Sequence, residues 1–253
     1  MSTGGTAPGR LLPILLPALL APLAVFVAFA LGSAAPALGR AALPILATAA
    51  VYPVFARLVI AGRRGAATAA ALLWAASLSV SLITHTARDP MAAGPGVLMG
   101  PSYRDEMFTY LESGVGRESD PGLFIPQHLL HAGIFCVVTL LSGGLAGLAM
   151  GAVLVGYMSY YVGALAAGPH PATAGLYGWP PWAILRVVGF ILLGTVLARP
   201  LLLRLRGTPS APWLERPDRR ILLIAAALLL TDIVLKTLFA TTWANLLRPC
   251  LPT

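Results

Sequence analysis

The run at 221–247, ILLIAAALLLTDIVLKTLFATTWANLL, constrains the chain more than any other stretch. It exceeds the about 20 apolar residues that cross a bilayer, yet it carries Asp232 and Lys236 near its middle. A charge at that depth costs about 2.5–3.5 kcal/mol on insertion scales, so it needs a partner or a water-filled cavity. The two residues are one helical turn apart and share a face. The other segments must therefore surround a charged site inside the membrane.

The rest of the chain is built to do so. It is 58% hydrophobic and 10% charged, with mean hydropathy +0.83, where a soluble domain carries about 25% charged residues. The fold class that follows is all-α: a polytopic membrane helix bundle of about seven transmembrane helices, forming one integral membrane domain over 1–253. The net charge of +8 does not point to nucleic acid, because no basic cluster is interleaved with aromatics and most arginines flank apolar runs. In that position they orient the chain. Cys136 and Cys250 are too far apart in sequence to form a disulfide framework or a zinc knuckle. Lysine is nearly absent while Ala, Gly, Pro and Arg abound. This is the coding habit of a GC-rich bacterial genome, and it suggests the bacterial inner membrane.

Seven spans are expected, at about 11–31, 41–60, 66–84, 124–141, 145–166, 179–198 and 221–247. The first is longer than the 7–15 residues of a signal-peptide core, which favours an uncleaved span. A small-residue link at 32–39 and kinks at Pro44 and Pro53 are expected around span two. Residues 128–167 are nearly continuous and apolar, and as one helix they would be about 60 Å long, twice the hydrocarbon thickness. Ser142-Gly143-Gly144 is the natural break. Span four is short, so a re-entrant half-helix is the alternative. Gly143, Gly147 and Gly151 repeat every four residues as a small-residue ridge for helix packing.

The segment 87–127 is acidic and 199–220 is basic. The positive-inside rule then places the N-terminus, Arg63, Arg64 and the 199–220 loop in the cytoplasm and the 87–127 loop outside. Within the outer loop, Ser102 to Asp105 resembles a capping box. Tyr103, Met107, Tyr110 and Leu111 fall on one helical face, and Gly114 is a plausible stop. The expected element is a short amphipathic helix on the membrane surface or over the bundle mouth.

Two constellations carry chemistry. Arg186 lies about two turns inside span six, and Lys236 about 15 Å in from the same outer face. With Asp232 they line one cavity carrying one net positive charge, a candidate substrate site for an anionic group. The bland alternative is a structural Asp232–Lys236 pair with Arg186 reaching out to the interface. The second constellation is histidine. His85, His128, His131 and His170 all fall on the outer side, and His128 and His131 share a helical face. With Asp120 or Glu118 they are candidate metal ligands, or haem ligands, although the zincin glutamate is missing. Interfacial histidines bonded to backbone or water are the simpler reading, and proton relay is another. Asp232 and Lys236 in the last span resemble the Asp-x-x-x-Lys of microbial rhodopsins, but span three has Trp74 and no carboxylate for a counterion. No nucleophile elbow, P-loop or dinucleotide fingerprint is present.

The leading functional expectation is a carrier or permease component for a small anionic or metal-linked solute, bound near Arg186, Asp232 and Lys236. Paired intramembrane charges are expensive to keep without use. The second is a non-catalytic subunit or assembly factor of a larger complex, or a homo-oligomer, packed through the glycine ridge. The third is a membrane enzyme or redox protein using the outer histidines. The lipid bilayer is a partner in all three.

Overall fold

The computed structural model describes residues 11–207 and 214–252. Among these, seven helices are long and apolar enough to cross a membrane, and there is no strand. The first three are α1 (Leu12–Ala34), α2 (Pro36–Ile60) and α3 (Arg64–Arg88). The expected 32–39 link shrinks to Ala35, whose extended backbone separates α1 from α2. Pro36 opens α2 at its first position, where a missing N–H is harmless. The helix then runs unbroken through Pro44 and Pro53.

The acidic segment is mostly helical. Asp89 caps the short α4 (Pro90–Ala93), accepting from the Ala92 N–H at 2.9 Å. After a 3-10 turn comes α5 (Gly100–Ser113), the amphipathic helix. It starts at Gly100, two residues before Ser102, and ends as expected at Gly114 with φ +72°. Met107, Tyr110 and Leu111 are buried, and α5 lies against the bundle.

Asp120 caps α6 (Pro121–Ser142), with Oδ1 accepting from the Gly122 N–H at 2.8 Å. Gly143 and Gly144, at φ +59° and +93°, make the break. The chain then turns into α7 (Leu145–Ala166). Span four is therefore a full-length helix of 22 residues. A short α8 (Pro171–Tyr177) leads to α9 (Pro181–Leu197). The first part of the basic loop is helical: α10 (Arg199–Leu205) extends α9 because residues 201–203 remain leucine. Residues 208–213 of that loop lie outside the described residues, as do residues 1–10, on which the expected placement of the N-terminus bears. The last helix, α11 (Arg216–Leu247), begins one turn before the apolar run.

Helix α7 is the shared wall. On one side it packs with α2 and α3, and with α1 they enclose Val25, Val51, Trp74, Leu78 and Tyr160. On the other it packs with α5, α8 and α9 around Leu111, Tyr161 and Trp182, a cluster that Leu247 of α11 joins. Lipid gives helices no hydrophobic reason to associate, so contact rests on small residues and interhelical hydrogen bonds. A Cβ on Gly163 would sit 2.6 Å from Thr86 Cβ, and one on Gly189 would sit 3.0 Å from Leu229. Ser159 donates to Ser79 at 2.9 Å across α7 and α3. The anticipated ridge is used only in part. Gly147 meets Thr139 of α6, Gly143 meets Leu202, and Gly151 has nothing within 4 Å.

Candidate functional site

The charges at depth are carried by α6, α9 and α11. Gly189, one turn past Arg186, lets α11 come close to α9. Arg186 then reaches Asp232 in a two-bond fork: Nε donates to Oδ2 and Nη2 to Oδ1, both at 2.8 Å. This is the strong geometry for guanidinium and carboxylate. Asp232 is 1% exposed. Arg186 keeps 26% of its side-chain surface accessible.

Lys236, 1% exposed, turns away from Asp232. Its Nζ lies 2.7 Å from Glu118 Oε2, in the segment just before α6, and 4.5 Å from the centre of the Phe124 ring. The simple Asp232–Lys236 pair is thus replaced by two pairs, Arg186–Asp232 and Lys236–Glu118. The expected surplus of one positive charge is cancelled, since two cations now face two carboxylates.

His128 completes the layer. Its Nδ1 lies 2.8 Å from the Phe124 carbonyl and donates to it, because a carbonyl can only accept. Nε2 is buried, has no hydrogen-bond partner, and stands 3.9 Å from Asp232 Oδ2. A neutral His128 turns a lone pair toward the carboxylate, whereas a protonated one would bridge to it. Above the layer, on α5, burial raises the Tyr103 hydroxyl well above its ordinary range, with the Glu118 charge adding to the shift. Burial pushes Tyr110 up to about 12 in the same way. Both stay neutral phenols beside the charges.

Beneath the layer is a cavity of about 360 Å³ between α6, α7, α9 and α11, within the range of about 300–1,000 Å³ typical of ligand pockets. Arg186, Asp232, His128, His131, Tyr103 and Tyr157 form its polar end, and the remaining walls are aliphatic and aromatic. Trp179 lines it with a buried, unpartnered Nε1. Lys236 is not among the lining residues. A smaller cavity of about 40 Å³ lies on the other side, reached by Arg186, Glu118 and Tyr110. Arg186 and Tyr103 line both, so they stand at the partition.

The histidines do not gather. His85 Nδ1 lies 2.8 Å from the Ser81 carbonyl, with the ring edge-on to Phe29. His170 is exposed at the start of α8. Only His128 and His131 share a cavity, while Glu118 is taken by Lys236 and Asp120 by the α6 cap. Among the described residues no group of three or more His, Cys, Asp and Glu is placed to hold a metal ion.

A second charged cluster was less legible. At the opposite end of the bundle, Arg64 of α3 bonds both Glu215, at 2.8 Å, and Asp218, while Arg199 of α10 bonds Glu215. Asp218 is fully buried and accepts from the Glu215 N–H at 2.9 Å in a capping box. In the sequence these two acids read as mere counter-charges in a basic loop. Their three-residue spacing before an apolar run was the available signal.

Compared with family models, curated proteins and solved structures, the chain matches none.

Proposed function

We propose that the protein is a carrier, or the solute-binding component of a permease, for a small anionic solute in the bacterial inner membrane, with its acidic end outward. The observation that supports this is Arg186. It lies in the bundle interior, is forked onto a buried carboxylate, and turns its accessible surface to a cavity of ligand size. Asp232 acts as a resident stand-in for the solute's anionic group. An incoming oxyanion takes the guanidinium fork, and the displaced carboxylate moves toward His128, 3.9 Å away. His128 is neutral with its lone pair toward the carboxylate, so the exchange keeps every buried charge paired when His128 takes up a proton with the incoming anion. Glu118 and Tyr103, from the segment over the mouth, tie the outer cover to the same layer.

The test is uptake of radiolabelled phosphate, sulfate and short carboxylates by proteoliposomes. Arg186→Gln should abolish uptake of the transported anion, and Lys236→Met should cut it about tenfold or more at unchanged protein yield. An assembly subunit would tolerate Lys236→Met and bring partner chains with it on purification.

A further inference from the structure

The carrier reading leaves the solute's chemistry open, and the shape of the cavity narrows it. Helix α6 packs on α7, α9 and α10, and α11 packs chiefly on α9, so α6 and α11 meet only sparsely. Where they do meet, near the outer end, His128 and Phe124 of α6 face Asp232 and Lys236 of α11. Below that point they part, and the cavity lies between them. Two of its lining residues, Leu129 of α6 and Leu230 of α11, are 62% and 65% exposed on the outside of the bundle. Ala226, one turn below Leu230, is exposed too and lines the same cavity. The cavity therefore opens sideways, at the middle of a membrane-spanning helix.

Charge points the same way. The layer is internally neutral, so it offers a freely dissolved anion no net attraction from a distance. Binding must draw on something besides charge. The long apolar wall supplies it, since burying hydrocarbon is favourable in proportion to area. At the polar end, Arg186 keeps 26% of its side-chain surface accessible, and Asp232, His128 and Trp179 line the same space that a head group would fill.

We propose that the solute is an amphiphile with an oxyanion head and a single hydrocarbon tail, entering from the bilayer between α6 and α11, with its head on Arg186 and its tail along Leu229, Leu230 and Ile233. This rests on the reading of Arg186 as an anion site.

The experiment is equilibrium binding of radiolabelled dodecyl phosphate to the full chain in nanodiscs, with inorganic phosphate and dodecyl maltoside as competitors. Dodecyl phosphate should bind about 100-fold or more tightly than inorganic phosphate. Arg186→Gln should weaken it about 10- to 100-fold through loss of a charge-assisted bond. Ala226→Trp, at an exposed position, should block the tail and weaken dodecyl phosphate about tenfold, a larger factor than it weakens inorganic phosphate. If inorganic phosphate binds as tightly and Ala226→Trp has no effect, the amphiphile is overturned and the small-anion carrier stands. If dodecyl maltoside displaces the ligand equally, the groove takes any tail and the proposal is again overturned. If neither phosphate binds, both readings fall.

Discussion

At the scale of single residues, the deciding comparison is between neighbours in sequence and neighbours in space. An Asp and Lys one turn apart on a helix gain only about 0.2–0.5 kcal/mol from each other. A two-bond fork to a guanidinium and a close lysine–carboxylate contact gain more, and both are present. Removing one member of a buried pair leaves the other uncompensated, at a cost of about 3–5 kcal/mol. Asp232→Asn should therefore lower stability by about that amount in detergent unfolding, and Arg186→Leu with Asp232→Leu should lose far less. Lys236→Met should cost less than Asp232→Asn, because Glu118 retains 25% of its side-chain surface to be solvated. Asp232, Lys236 and Arg186 were legible as a site because charges inside apolar runs stand out. Glu118 was not legible as the partner of Lys236. It is one of six acids in a polar segment more than a hundred residues away in sequence, and only the placement of that segment over the bundle selects it.

At the scale of elements, length and apolar run decided most of the helices. The split between α6 and α7 follows from a run too long for one crossing and from two glycines in the left-handed region. Gly144→Ala is expected to cost about 1–3 kcal/mol from backbone strain alone. The added Cβ would also press to within 2.9 Å of Phe55 and 3.0 Å of Ala198. Gly151→Ala is expected to be neutral or to stabilise by about 0.5–1 kcal/mol, since the helix gains an alanine and the new methyl has open space. Thermal denaturation of the two variants side by side checks the contrast. Gly147, which meets Thr139, and Gly151, which meets nothing, show why spacing in sequence misreads packing. A repeat every four residues says that small residues share a face, and not what lies opposite. The close approaches occur instead at Gly163 against Thr86 and Gly189 against Leu229. The extension of α9 into α10 was also missed, because six arginines made 199–220 read as a loop while its leucines continued the helix.

At the scale of the whole molecule, two charged clusters stand at different depths. One, at Arg64, Arg199, Glu215 and Asp218, joins α3, α10 and the start of α11 at the basic end. The other lies under α5 and the segment that carries Glu118. Because α11 belongs to both clusters, it is held at its start and at its middle, and the stretch between borders the cavity. Asp218→Asn should destabilise the protein by about 3–5 kcal/mol, because the buried carboxylate faces Arg64 and also caps α11. The loss should be seen as a lower unfolding midpoint, with solute affinity kept in the folded fraction. Charge asymmetry predicts the orientation, with Arg63 inside and Val115 outside, and single cysteines at the two positions should label from opposite sides of sealed vesicles.

The central claim is that Asp232 and the solute compete for the same guanidinium. The measurement that tests it most directly is the shift in melting temperature of wild type, Asp232→Asn and Arg186→Gln on titration with inorganic phosphate and with dodecyl phosphate. A ligand at about 100 times its Kd adds about 2.7 kcal/mol to the folded state, which is readily read as a shift. Asp232→Asn should start less stable than wild type and be stabilised at lower anion concentration, because its arginine has lost the competing carboxylate. Arg186→Gln should not respond. Equal responses in all three variants, or weaker binding in Asp232→Asn, would contradict it and leave Arg186–Asp232 a purely structural pair.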